Sequence, residues 1–88
     1  MLIIADDPFR QALVELPENA KRYLVTALQE MIAAPTIADF ANTGLELIDV
    51  TLEGFTLPVK ENYQMTVGSL VATLTEDNKL KVTMTRYF

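Results

Sequence analysis

The residues predict an α+β domain of two layers, an N-terminal helical hairpin packed on one face of an antiparallel β-sheet. Three observations predict it. Apolar residues recur with a helical period before Gly44 and with a period of two after it, Pro17 and Pro35 close the two helical stretches, and the strand half is apolar on one face and rich in Thr, Gln and Lys on the other. The expected order is β-α-α-β-β-β-β. No Gly/Ser linker and no repeat interrupts it, so residues 1–88 read as one domain.

Met1 to Ala5 is a short apolar run expected to pair as a strand with the C-terminal strands or a partner chain. Asp6-Asp7-Pro8 then reads as a helix start, because an N-cap carboxylate accepts a backbone amide and Pro at the first helical position has no amide hydrogen to leave unpaired. Phe9, Ala12, Leu13 and Leu16 make one apolar stripe, and Pro17 pushes Leu16 out of helical angles. Residues 18 to 34 carry Ala20, Tyr23, Leu24, Ala27, Leu28 and Met31 on one face, with Val25 and Ile32 widening it. In the connector, Ile37 and Phe40 are expected to plug the core, while Asn42 and Gly44 suit a left-handed backbone.

The strand half begins at Leu45. Ile48, Val50 and Leu52 are expected to face inward, Glu53-Gly54 to turn the chain, and Phe55, Leu57 and Val59 to form the next inward set. Pro58 marks an edge or a bulge. Tyr63, Met65 and Val67 alternate next, Gly68-Ser69 matches a two-residue type II′ turn, and Leu70, Ala72, Leu74 and Leu80, Val82, Met84 complete the inward face of a meander. Met31, Met65 and Met84 read as core filler.

Composition excludes much chemistry. The 88 residues are 50% hydrophobic and 22% charged, with no Cys, His or Trp. Thiolate nucleophiles, thiolate zinc sites, disulfides and Ser-His-Asp triads are therefore absent, and acid-base work would fall to carboxylates, Tyr or Lys. No apolar run approaches the roughly 20 residues that span a bilayer, and the N-terminus lacks the basic start of a secretory signal, so the expected compartment is the cytoplasm, with no membrane contact. A net charge of −5 opposes a phosphate partner. Asp6 and Asp7 could suggest a metal pair, but their place before Pro8 favours capping, and no metal or cofactor is expected.

The short opening strand with Phe9, Leu13 and Leu16-Pro17, the helix Ala20 to Pro35, and the closing run from Tyr63 through Gly68 and Leu70–Leu74 to Arg86-Tyr87 together resemble the RelE/ParE superfamily of small bacterial toxins from type II toxin-antitoxin modules. The resemblance implies either ribosome-dependent mRNA cleavage or action by binding, as in gyrase-directed relatives. It also implies a protein partner, an antitoxin-like peptide or a second copy. It assigns a catalytic role to Arg86 and Tyr87. Val71 stands where the family carries Arg, and Gln64 and Thr66 stand where further basic residues are common, so binding is expected over cleavage, with nucleic acid met only inside a ribosome. Lys79 and Lys81 add a modest basic end, and Lys81, Thr83 and Thr85 are expected to share an exposed binding face with Arg86. A non-toxic interaction module on the same scaffold is the alternative.

Overall fold

Asp6 starts the first helix as its position before Pro8 predicts: the amide of Phe9 donates to Asp6 Oδ1 at 2.8 Å, and Asp6 itself stays extended. A computed structural model describes residues 1–40 and 43–88 of the chain. Helix α1 spans Asp7–Glu15 and α2 spans Glu18–Ala33, with Leu16 and Ala34 extended where the following prolines require it. Phe9, Ala12 and Leu16 of the first stripe are buried, as are Ala20, Leu24, Ala27 and Met31 of the second. Val25 and Ile32 do not widen that stripe. Both are exposed, because the sheet covers α2 on one side only.

A 3-10 helix, Ile37–Asn42, follows α2 and is held at its start by reciprocal hydrogen bonds between Thr36 and Asp39. It delivers Ile37 and Phe40 into the core, where the Phe40 ring meets Phe55 edge-on at 5.2 Å. Gly44 has φ +81°, the left-handed conformation expected of it. The matching expectation at Asn42 lies outside the described residues.

The sheet contains β1 (Ile3–Ala5), β2 (Ile48–Thr51), β3 (Gly54–Asn62), β4 (Met65–Leu74) and β5 (Leu80–Arg86), in the spatial order β1-β5-β4-β3-β2. Strands β2 to β5 form an antiparallel meander, and β1 joins parallel to β5 with Ile3 opposite Leu80 and Ala5 opposite Val82. The sheet is therefore mixed. Its apolar face, including Leu57, Leu70, Val82 and Leu80, is buried under the helices, α1 against β5 and α2 against β3, which is the two-layer α+β arrangement the residues predict. No helix among the described residues is long and apolar enough to cross a membrane.

Several local expectations are corrected. Gly68 and Ser69 are not a turn but lie inside β4, paired on one side with Val59 and Pro58 and on the other with Arg86 and Thr85. The glycine serves close approach instead: a Cβ there would stand 2.8 Å from the Thr85 carbonyl oxygen. The chain turns earlier, at Tyr63-Gln64, so Tyr63 is 88% exposed, and Met65 faces water as well. Met65 is not core filler. The ladder register shifts between Val59 and Lys60, leaving Val67 as an extra residue on β4, and this bulge buries Val67 and Gly68 in succession. Pro58 lies beyond the last β2 pair, Ile48 with Thr56, where no strand on that side asks for its missing amide.

The other hairpin also departs from expectation. Leu52 and Glu53 make the turn, while Gly54 opens β3 so close to β4 that a Cβ would fall 2.1 Å from the Ala72 carbonyl oxygen. Every residue of β2 is exposed. Ile48, Val50 and Leu52 do not enter the core, because β2 is an edge strand and Asp49, at φ 52°, breaks its alternation.

Leu70, fully buried on the central strand, should cost about 2 to 5 kcal/mol when replaced by Ala. Against a total stability of about 4 to 13 kcal/mol, urea unfolding will detect this as a large shift of midpoint. The Asp6 carboxyl is held below the usual carboxylate range, first by the Phe9 amide and further by the Thr83 hydroxyl and Lys81. A depressed folded value means that the contribution is present above the unfolded value of about 3.9 and fades as pH falls through the folded one. Asp6→Ala should therefore lower the melting temperature at neutral pH, with the gap from the parent protein closing below about pH 4; a gap independent of pH would contradict this.

Candidate functional site

Strand β5 carries four of the sequence-predicted residues, with Lys79 just before it and Tyr87 just after it, and its two faces separate those four. Lys81 pairs with Thr73, Thr83 with Val71 and Thr85 with Ser69, so these three point to the uncovered face of the sheet, as expected. Arg86 does not share that face. It lies opposite Gly68 on the helix side, where its guanidinium makes an ion pair with Glu15 of α1 and sits 5.4 Å from the Phe88 ring centre. Tyr87 is exposed beyond the end of the strand, its amide donating to the Val67 carbonyl. Lys79 sits in the β4–β5 turn, 3.2 Å from Asp77, whose carboxyl is held low first by the Thr75 hydroxyl and then by Lys79.

Each basic residue of this end thus has a carboxylate nearby: Arg86 has Glu15, Lys79 has Asp77, and Lys81 lies near enough to Asp6 to help stabilise its charge. A nucleic-acid phosphate would have to compete with all three. Asp6 is the cap of α1, and among the described residues no group of three or more Asp, Glu, His or Cys side chains is placed to hold a metal ion.

A second region was missed by sequence reasoning. The 3-10 helix, the connector and the β2–β3 hairpin surround an apolar groove of about 530 Å3, lined by Ile37, Phe40, Leu45, Leu47, Val50 and Leu52 among others. Leu52 is 89% exposed and Val50 54%. The groove runs beside β2, which has β3 on one side and no strand on the other. The signal available in the sequence was the alternation Ile48, Val50, Leu52, which looks the same whether its apolar side meets a core or open water.

A smaller recess of about 310 Å3, which shares Leu45 with the groove, lies between Tyr23, Leu45, Asn62 and Tyr63. The Lys60–Glu46 ion pair ties its walls, and the Glu46 hydrogen bond holds the Lys60 pKa above its ordinary value. Tyr23 is half-buried there, and burial raises its phenol.

Set against known proteins, the chain matches no family model, no curated protein and no solved structure at a significant level.

The ion pair of Arg86 is partly solvated on both sides, which limits its worth. Arg86→Ala should cost no more than about 1 kcal/mol in urea unfolding, and the loss should shrink at high salt.

Proposed function

We propose that this chain is a RelE/ParE-like protein of a toxin-antitoxin-type module that acts by binding another protein, using the groove beside β2 as its docking surface. One observation supports the reading above others: a sheet edge with no strand on its outer side stands next to an apolar groove lined by leucines. An extended segment can pair with such an edge through main-chain hydrogen bonds while its alternate side chains fill the groove. Large exposed apolar residues gathered in one place are the usual mark of a protein contact.

Cleavage of RNA receives less support. The transition state of that reaction needs free cations at the cut phosphate, and Arg86 and Lys79 are already engaged by carboxylates, while Val71 offers none. This same matching of charges favours the second reading, a non-toxic interaction module on the same scaffold.

Induction of the chain alone in a bacterium, with growth and translation followed together, separates these readings. Arrest that Leu52→Asp relieves and Arg86→Ala does not is the expected result. Arrest relieved only by Arg86→Ala would return the working surface to the C-terminal end, and normal growth with abundant soluble protein would favour the non-toxic module.

A further inference from the structure

From the distribution of charge around this groove, we infer that its occupant is a basic, apolar segment of a partner protein, bound in extended form along β2. The inference rests on the binding reading above and adds the chemistry of the partner.

Between positions 23 and 59 the chain has five carboxylates, Glu30, Asp39, Glu46, Asp49 and Glu53, and no Lys or Arg. That stretch alone carries a charge equal to the −5 of the whole protein, so the remainder is balanced. The same stretch supplies every residue lining the groove. Asp39 adjoins Ala38 and Phe40, Glu46 lies between Leu45 and Leu47, Asp49 precedes Val50 and Glu53 follows Leu52, so the carboxylates alternate with lining residues along the chain.

Not all of these acids are used up internally, although Asp39 accepts hydrogen bonds from the Thr36 amide and hydroxyl. Glu46 pairs with Lys60, but Asp49 and Glu53 form no ion pair among the described residues, and both are exposed. An apolar floor with an acidic rim attracts cations at the rim and apolar side chains at the floor. A strand alternates its side chains between two sides, so a segment with apolar residues at every second position and Lys or Arg between them satisfies both demands while its backbone pairs with β2. An acidic segment would place like charges against Asp49 and Glu53.

Selection of a displayed library of random short peptides on the intact protein tests this. The enriched peptides should carry net positive charge with alternating apolar residues, and should lose binding to Leu52→Asp, a change at a position too exposed to disturb the fold. Neutralising the rim with Asp49→Asn and Glu53→Gln should weaken the best peptide about threefold to tenfold at low salt and flatten its salt dependence. Asn is chosen at 49 because it tolerates the positive φ there. Enriched peptides that are neutral or acidic yet lost with Leu52→Asp would overturn the basic partner and leave the docking surface standing. Peptides indifferent to Leu52→Asp, or no enrichment, would overturn both. A dimer that Leu52→Asp dissociates would replace the partner with a second copy.

Discussion

Strand β4 must hold register with two neighbours at once, and the rest of the fold depends on its doing so. Its inward residues Leu70 and Ala72 stand between Leu57 and Phe55 of β3 and Met84 and Val82 of β5, forming two buried rows across the sheet. Side chains alternate along a strand, so a slip by one residue against either neighbour would turn an entire row to water. Two glycines protect that register by close approach. Gly54 lies against the Ala72 carbonyl and Gly68 against that of Thr85, so each fixes β4 from one side. The extra residue Val67 on β4 is offset by Glu61 on β3, so the hairpin tip, with Asn62 opposite Met65, keeps the register of the rows, and the helices lie on a continuous apolar surface.

The helical half was legible because its signals are local. Asp6 and Pro8 set one boundary, Pro17 and Pro35 set the next two, and a stripe of small and large apolar residues has few other uses. Strand β5 was legible for the same reason, its alternation being clean from Leu80 to Met84. Gly68-Ser69 has the residues of a turn, but a glycine within a strand can serve a turn or a close approach, and only the neighbouring strand distinguishes the two. Tyr63 and Met65 depend on the same choice, since a turn placed too late carries the inward phase past the real hairpin tip. Ile48, Val50 and Leu52 have the alternation of a covered strand, but coverage depends on where the helices lie, which no short window contains. Arg86 has the phase of Leu80, Val82 and Met84, opposite to that of Thr83 and Thr85, while its partner Glu15 is remote in sequence and not legible from it.

Charge and exposed apolar surface are arranged together. The C-terminal end mixes both signs closely enough that its cations are answered by neighbours, which leaves little field to steer an anionic ligand. Residues 23–59, which include β2 and line the groove, carry carboxylates and no Lys or Arg, and β2 displays Ile48 and Val50 with Leu52 beside it. An exposed edge beside apolar residues is an aggregation hazard in a small protein, and like charges along that edge oppose its pairing with a copy of itself.

The parallel pairing of β1 with β5 sets an order of events during synthesis. The first strand is made before either helix, yet the strand it pairs with follows all the others. Until β5 emerges, β1 has no ladder, β4 has one open side, and α1 lacks the strand against which it packs. The contacts among α2, β3 and β4 are closer in sequence, whereas closure of the sheet waits for contacts that span almost the whole chain. Loss of β5 would therefore unfasten both ends of the molecule together, leaving β1 and α1 as apolar segments with nothing to cover them.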